Sequence, residues 1–473
     1  MTPAVRAFVT QLLARLSSLE ARLETSERRV AELEKENRDL RQRLATNSSN
    51  SSMPPSSDRP EHTPPKTEKT STGRKRGGQA GHVKRERELI PTEQCDKVEE
   101  HVPHSCSSCG SKLMGSDPNP RRHQVTDIPP IKPVTTEHQI HTRQCSCCGK
   151  YTTAKLPSGV PAGQFGPNLV ATVTLLTGLG RISQRIMATL LRDLFGLSIS
   201  DGQISRLQTI GRKSLQAGYE EIVADVRKSA TINLDETGWV QNNDRASMWV
   251  AVGPRASLYS IHQSRSRSVV HATMGDDYRG VVTSDRFSAY SDIPDGRHQF
   301  CWAHLIRDFR AMVDRGGASE PIGTRLLQSG REMIHHWNRC KRNVTKRQTF
   351  DTHLRRLKGE ILDGLLEGSM CNDPKTAETC RRLGNACASL FVFAAHDGVS
   401  PTNNIAEQTI RKAVIFRKLS FSTEEQTGSR NLSVIFSPVE TCRRQWLAAF
   451  DYVRAAVKNL FAGKTAPRLL PAG

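Results

Sequence analysis

The sequence lacks the long apolar segments of membrane and secreted proteins. No uninterrupted apolar run approaches the roughly 20 residues that a membrane-spanning helix requires, and the mean hydropathy is −0.51. The N-terminus has no charged region followed by an apolar core, so we expect no secretory signal peptide. These absences predict a cytoplasmic protein with no membrane partner.

Acidic residues are also deficient. The 473-residue chain has 48 Asp and Glu against 68 Lys and Arg, which gives a formal net charge of +20. A basic excess of this size favours an extended polyanionic partner such as nucleic acid. Solubility alone is the alternative explanation. The length allows about three domains.

Cysteine is scattered except in two C-x-x-C pairs. The paired residues, each pair followed by glycine, are Cys106, Cys109, Cys145 and Cys148. This pattern favours a reducing compartment over a disulfide scaffold. Two tight turns with two thiolates each predict a structural Zn²⁺ site of the zinc-ribbon type in a domain at 91–160. Cys147 is an alternative ligand, and unliganded cysteines are the alternative to a metal site. Val134–His141, between the pairs, predicts a strand of an inserted β-hairpin.

Residues 1–45 carry a heptad repeat. The positions expected at its interface are Leu16, Leu19, Leu23, Val30, Leu33, Asn37, Leu40 and Leu44. In a parallel pair the flanking charged residues would face partners of opposite sign, and Asn37 at a core position favours a two-stranded, in-register coil. We therefore predict a homodimer joined by a leucine-zipper coiled coil. A single amphipathic helix packed on its own chain is the alternative.

The segment 46–90 combines a linker with a basic arm. Ser, Thr and Pro dominate its first part, which predicts a flexible linker. The Gly-rich stretch that follows contains Arg74, Lys75 and Arg76, which can lie along phosphates or enter a minor groove. A solvated basic tail is the alternative.

Residues 161–230 have helical periodicity. Two amphipathic helices separated by a break at Gly196 resemble a helix-turn-helix. Its second helix, starting near Asp201, would offer Gln203 and Arg206 to a DNA groove. Two core helices joined by a glycine turn are the alternative.

Two aspartates end short β-branched runs. Asp235 closes the run 231–234, and Asp285 closes the run 281–284. The order of three strands, a helix and a fourth strand ending in Asp matches the ribonuclease-H-like fold, in which the first and fourth strands are neighbours. Residues 231–300 would then form the first part of such a core, with Asp235 beside Asp285. Ordinary strand-end residues are the alternative.

Glu407 is the predicted third carboxylate, at the start of the final part of the core, 401–473. Glu440 is the second choice for this role, and Glu236 would point to the opposite face of its strand. Three carboxylates at one end of a sheet offer the hard oxygen ligands that Mg²⁺ or Mn²⁺ requires. Two such ions support phosphodiester cleavage and strand transfer.

A basic helix is predicted to follow Glu407. Its cations, placed where DNA phosphates would lie, are Arg411, Lys412, Arg417 and Lys418. Glu407 also has structural explanations, because it fits a capping box led by Asn404 and an ion pair with Arg411 one turn later.

A helical insertion is predicted at 301–400, because so long a connection cannot be a simple loop in a compact core. Cys301 and His304 begin it with metal-like spacing but without a second pair. This spacing favours packing, or a role near the active site, over a zinc site.

These motifs together resemble the transposases of the insertion sequence sixty-six family, over nearly the whole chain. The motifs that carry the resemblance are the zipper-like start, the Gly77–His82 arm, the paired C-x-x-C finger, Asp235-Glu236-Thr237, Asp285 with Ser288-Ala289-Tyr290, Cys301-Trp302-Ala303-His304 and Asn403-Asn404-Ile405-Ala406-Glu407. The resemblance implies a bacterial, nucleoid-associated DDE transposase that acts with Mg²⁺ on terminal inverted repeats and target DNA. Asp235, Asp285 and Glu407 would be its catalytic triad.

Two departures from the family pattern leave these ligands intact: Ala80 stands where Pro is usual, and Gln408 where Arg is usual. Elements of this kind often encode accessory proteins, which are further candidate partners.

The sequence therefore predicts a multidomain α+β protein. It would contain an N-terminal coiled coil, a zinc ribbon, a helical DNA-binding segment and a ribonuclease-H-like α/β catalytic domain with a helical insertion. The expected activity is metal-dependent DNA cleavage and strand transfer. Two alternatives are a catalytically decayed transposase that acts as a DNA-binding regulator, and a ribonuclease-H-like nuclease without strand transfer.

Overall fold

The computed structural model describes residues 88–420, 423 and 426–471, and positions 15, 22, 23, 28–30, 32–34 and 37 near the N-terminus. These N-terminal positions are helical, and Leu23, Val30 and Leu33 are 60%, 51% and 44% exposed. The remaining predicted positions of the coil and the basic arm lie outside the described residues, namely Leu16, Leu19, Leu40, Leu44, Arg74, Lys75 and Arg76. No helix in the described part of the chain has the length and apolarity needed to cross a membrane.

The two C-x-x-C pairs form matching turns. The backbone N–H of Gly110 donates to the carbonyl of Cys106, and that of Gly149 donates to the carbonyl of Cys145, each at 2.9 Å. Both glycines have positive φ, 74° and 69°, a conformation that disfavours a side chain. The predicted tight turns are therefore confirmed.

The hairpin of this region lies later in the chain than predicted. Strands β1 (Thr142–Gln144) and β2 (Tyr151–Thr153) pair antiparallel around the second cysteine turn. Val134–His141 has no regular secondary structure, so the prediction of a strand there is wrong. A hairpin's register is fixed by its turn, and the turn is supplied by the cysteine pair itself.

A mixed five-stranded sheet lies at the centre of the larger folded region. Its strands are β3 (Thr231–Gln241), β4 (Asp244–Val252), β5 (Ser257–His262), β6 (Val281–Ser284) and β7 (His298–Phe300), in the spatial order β5-β4-β3-β6-β7. β3, β4 and β5 pair antiparallel, whereas β6 is parallel to both β3 and β7. The prediction that the first and fourth strands of this sheet are neighbours is confirmed. Asn242 and Asn243 connect β3 to β4 with φ of 52° and 61°, as a type I′ hairpin turn requires.

Helices surround the sheet and extend from it. They are α1 (Pro167–Thr177), α2 (Gln184–Phe195), α3 (Asp201–Lys228), α4 (Arg267–Met274), α5 (Trp302–Arg315), α6 (Ser319–Lys341), α7 (Arg347–Ser369), α8 (Pro374–Asn385), α9 (Val392–Ala395), α10 (Asn404–Ser420), α11 (Gln426–Arg444) and α12 (Ala449–Phe461). The combination of these helices with a mixed sheet is α+β, as predicted.

Two apolar cores divide these helices. The first is built by the sheet with α1–α4 and α10–α12, and the second by α5–α9 together with Val281 of β6 and Phe300 of β7. The second core occupies the stretch where the sequence predicts a helical insertion, and it contains the fully buried Trp302 and Phe309. The insertion therefore has its own apolar interior and is not an extended loop.

The helix pair at α2 and α3 begins and ends where the sequence predicts. Gly196 ends α2 in the left-handed conformation at φ 66°. Ser200 and Gln203 form a reciprocal capping box at the start of α3, in which each side chain accepts from the other residue's backbone N–H.

Hydroxyl groups of α11 cover the outer edge of the sheet. Tyr259 N–H on β5 donates to Ser437 Oγ at 2.8 Å, and Ser257 N–H donates to Thr441 Oγ1 at 3.1 Å. Ser437 and Thr441 are fully buried and lie one helical turn apart. Together they satisfy edge amides that a further strand would otherwise bind.

Candidate active site

The two faces of β3 carry different chemistry. Ile232, Leu234 and Glu236 are buried on one face, and Asp235 lies on the other, as the period of two predicts. Glu236 accepts from the Arg265 guanidinium and from the Tyr290 hydroxyl. Burial raises the pKa of Glu236, and these two donors oppose that rise. Glu236 is therefore part of a buried structural network behind the strand.

Asp235 and Asp285 occupy matching positions on neighbouring parallel strands. Asn233 pairs with Thr283 in the register of β3 and β6, and each aspartate follows two residues later. Asp285 comes directly after the last residue of β6. Its Oδ1 accepts from the backbone N–H of Phe287 at 2.9 Å, which fixes the carboxyl group at the strand end.

α10 brings Glu407 over the same face of β3. Asn403, the residue before the helix, is 1% exposed. Its amide nitrogen donates to the carbonyl of Leu234 at 2.7 Å, and its amide oxygen accepts from Asn233 at 3.0 Å. Glu407 lies one helical turn beyond this anchor. The helix begins at Asn404, so the cap position belongs to Asn403. The predicted capping box, which requires Asn404 at the cap position, is therefore wrong.

Asp235, Asp285 and Glu407, all in the described part of the chain, do not bring three ligand atoms within 4.8 Å of one another. Their relation is electrostatic: charges of the neighbouring carboxyls act on Asp235 and on Glu407. Burial, together with the charges of Glu236, Glu407 and Asp285, raises the pKa of Asp235 to about 8. Burial also raises the pKa of Glu407; Arg307 opposes this rise and Asp285 adds to it. A group of carboxyls that repel one another in a partly closed site has the charge and the oxygen donors that suit a divalent cation.

Cys301 and His304 join Glu407 at the start of α5. Cys301 Sγ lies 3.9 Å from Glu407 Oε1, and His304 Nδ1 lies 3.6 Å from the same oxygen. The three ligand atoms lie within 4.8 Å of one another. Burial, with a smaller contribution from Arg307, lowers the pKa of His304 to about 4. At neutral pH the imidazole is therefore uncharged, so its contact with Glu407 is not an ion pair.

His304 Nδ1 is buried and has no hydrogen-bond partner. Such an atom beside crowded carboxyls fits a site that receives a cation or a substrate group. The C-x-x-H spacing marked these residues in the sequence. Their contact with Glu407, across more than 100 residues of chain, could be recognised only once the insertion was folded.

Glu440, the second choice for the third carboxylate, lies elsewhere. It is 4% exposed and accepts from Lys412 Nζ. Lys412 is thus held by a buried carboxylate, and we do not retain it among the residues that would contact DNA. Glu440 is also not among the charges that act on Asp235.

The other predicted DNA-contacting residues have different environments. Arg411, Lys418 and Arg206 are exposed, and Arg417 reaches Thr237 Oγ1 at 3.4 Å. The Gln203 side chain is engaged in the capping box of α3. Arg206 is therefore the predicted residue of α3 whose side chain is available to a groove.

The cysteine turns favour thiolates. The pKa of Cys109 is lowered, chiefly by the Ser111 hydroxyl, and the pKa of Cys145 is lowered by the backbone amides of Cys148 and Cys147. Amide and hydroxyl donors at a thiol fit the ligand form that Zn²⁺ binds. Within the described finger, no three cysteine sulfurs lie within 4.8 Å of one another. The two turns are therefore not brought together in this structure, and each is held by its own backbone hydrogen bonds.

Comparisons with known proteins match most of the chain. A family model described as "Transposase IS66 family" matches residues 162–431, and one described as "zinc-finger binding domain of transposase IS66" matches residues 103–149. A third, described as a family of unknown function (DUF6444), matches residues 3–88. The uncharacterized protein y4hP of Sinorhizobium fredii is 20% identical over 402 residues, which cover 75% of this chain and 71% of that protein.

Proposed function

The chain belongs to the IS66 transposase family, and we propose that it is a DDE transposase that cuts DNA at the terminal inverted repeats of its element and joins the freed ends to target DNA. Asp235, Asp285 and Glu407 would be its catalytic carboxylates. The observation that carries this proposal is twofold: the two aspartates follow in-register residues of parallel neighbouring strands, and the charges of Asp285 and Glu407 both act on Asp235.

We assign the sheet to the ribonuclease-H-like fold. Support comes from the strand order β5-β4-β3-β6-β7, with an antiparallel meander followed by parallel strands. In such a sheet the carboxyl end of β6 lies beside the middle of β3. Ligands commonly bind at this kind of position, where the order of the strands changes direction. The insertion α5–α9 separates Asp285 from Glu407 in sequence.

The carboxylates would hold two Mg²⁺ or Mn²⁺ ions, which when bound activate a water or a 3′-hydroxyl and stabilise the leaving oxygen. Asn403 fixes the start of α10 against β3, and the charge of Glu407 on this helix acts on Asp235. Cys301 and His304 lie beside Glu407 and would help to orient its carboxyl group. Arg307, whose charge acts on Glu407, would contact a DNA phosphate at the same site.

The remaining domains would bring DNA to this site. We propose the boundaries 1–45 for a coiled coil, 46–90 for a linker with a basic arm, 91–160 for a zinc finger, 161–230 for a helical segment, and 231–300 with 401–473 for a catalytic core interrupted by 301–400. The finger match supports a structural Zn²⁺ held by two cysteine pairs. The exposed Leu23, Val30 and Leu33 support pairing of two chains, so that two element ends can be held together.

One assay separates the candidate functions. Full-length protein is mixed with a labelled element-end duplex, a target plasmid and Mg²⁺. A joined product supports the transposase. Cleavage without joining indicates a nuclease, and binding without either reaction indicates a regulator.

Isosteric variants test the residues in the same assay. Asp235→Asn, Asp285→Asn and Glu407→Gln each remove one anionic ligand, so we expect strand transfer to fall to background while end binding persists. Asp244→Asn is the matched control, because this exposed carboxyl lies at the far end of the β3–β4 hairpin and should leave transfer unchanged. Normal strand transfer by Asp235→Asn would refute the assignment.

A further inference from the structure

Outside the candidate active site, three side chains of the insertion bring metal-ligating atoms together. They are Glu332 and His336 on α6 and His353 on α7. One ligand atom from each lies within 4.8 Å of the other two, and all three residues are half-buried. No resemblance or family match assigns a role to them.

Helix geometry explains this convergence. Residues four apart share one face of a helix, and His336 Nε2 lies 3.6 Å from Glu332 Oε1. The rings of His336 and His353 stack with centroids 3.8 Å apart and an angle of 13° between their planes. The site therefore spans two helices that pack directly on each other.

The charges around the cluster leave room for a cation. Arg356 contacts both Glu332 and Glu360, so one guanidinium is shared between two carboxylates. Ser329 Oγ also donates to Glu360 at 3.0 Å. A carboxylate offers about four lone-pair positions, so the contact with Arg356 orients Glu332 without exhausting it.

We propose that Glu332, His336 and His353 bind a divalent transition-metal ion such as Zn²⁺ or Co²⁺, which links α6 to α7. Two imidazoles and one carboxylate form a donor set of open zinc sites, with the fourth position taken by water. Imidazole nitrogen selects such ions over Mg²⁺. The bound ion would cross-link the insertion, independently of the reaction proposed for the carboxylates of the sheet.

Cobalt titration of full-length protein, stripped of metal with a chelator, tests this site. Co²⁺ bound by the thiolates of the finger gives sulfur-to-cobalt charge-transfer bands. Co²⁺ bound by a few nitrogen and oxygen ligands gives visible ligand-field bands but no such charge-transfer bands. Metal content after dialysis gives the stoichiometry. The variant is His336→Gln with His353→Gln, and the matched control is His335→Gln, the exposed neighbour on α6.

We expect the double variant to bind one equivalent of Co²⁺ less than the wild type and to lose only the ligand-field bands of the nitrogen–oxygen site. His335→Gln should match the wild type. A far-ultraviolet circular dichroism spectrum equal to that of the wild type shows that the helices of the double variant are folded. Equal stoichiometry and equal spectra for wild type and double variant would overturn the proposal.

A measurement on the wild type alone guards against a variant that fails to fold. After the finger has been saturated with Zn²⁺, further Zn²⁺ should raise the melting temperature in the absence of Mg²⁺, because an ion bound only by the folded state stabilises it. Absence of any further rise contradicts the site.

Discussion

At the scale of single residues, Asn403 connects most of the candidate active site. Its side chain reaches Asn233 and Leu234 on β3, and its backbone N–H donates to Cys301 Sγ at 3.1 Å. The sequence placed both aspartates at strand ends: this is right for Asp285, which follows β6, and wrong for Asp235, because β3 continues beyond it to Gln241. The sequence could not predict the contacts of Asn403, since they join segments separated by 169 and 102 positions.

Substitution of Asn403 should therefore affect both stability and reaction. We expect Asn403→Ala to lower the free energy of unfolding by about 1–3 kcal/mol, because it leaves buried polar groups on β3 unpaired. Strand transfer should fall as Glu407 loses its anchor. Chemical denaturation and the strand-transfer assay measure both effects. Asn404→Ala, at the exposed next position, is the control; equal effects of the two variants would contradict this role.

His298 should make stability depend on pH. Burial lowers its pKa from 6.5 to about 4, and its Nε2 lies 2.7 Å from Ser284 Oγ. Between these two pKa values the unfolded chain binds a proton at His298 and the folded chain does not. The contribution of neutral His298 to the free energy of unfolding is therefore complete above pH 6.5 and is lost as pH falls toward 4. We expect the free energy of unfolding to drop by about 2 kcal/mol more between pH 7 and pH 5 in the wild type than in His298→Gln. Denaturation at both pH values tests this difference, with the exposed His396→Gln as control; identical pH dependence in wild type and His298→Gln would count against it.

At the scale of elements, local chemistry determined which predictions were right. The α2–α3 pair was predictable because Gly196 and the Ser200–Gln203 capping box are encoded within a few residues. The finger hairpin was misplaced because β-branched residues at Val134–His141 suggested a strand, whereas the cysteine turn determines where pairing occurs. A local sequence pattern therefore predicts whether a segment is a helix or a strand better than it predicts the segment with which a strand pairs.

The close approach of α1 and α3 gives a test at this scale. A Cβ at Gly211 would lie 2.0 Å from Thr174 Oγ1, which is fully buried and donates to Val170. We expect Gly211→Ala to lower the free energy of unfolding by about 1–3 kcal/mol through overpacking. Gly202→Ala in the same helix has open space and should stabilise by about 0.5–1 kcal/mol. Thermal unfolding of both variants measures the difference, and a neutral Gly211→Ala would show that the helices separate easily.

At the scale of the whole molecule, the sequence predicted a division into units that the structure describes only in part. The helical insertion with its own core was predictable from the length between Asp285 and Glu407. The dimer remains a prediction from the heptad pattern, because most of those residues lie outside the described chain. The exposure of Leu23, Val30 and Leu33 on a single chain agrees with pairing.

A pair of substitutions tests dimerisation in the full chain. Leu33→Asp places a charge at the predicted interface, so we expect a monomer by sedimentation velocity. Ala31→Asp places the same charge at an outward heptad position and should leave the dimer intact. A dimeric Leu33→Asp protein would show that the chains associate through another surface.

The hydroxyls of Ser437 and Thr441 have a consequence for the behaviour of the protein at high concentration. An open strand edge is a template on which further copies can polymerise. Because α11 occupies two amides of β5, this edge is closed to a further strand even when the protein is concentrated. Loss of both hydroxyls would therefore be felt first as precipitation at high protein concentration, before any defect in catalysis.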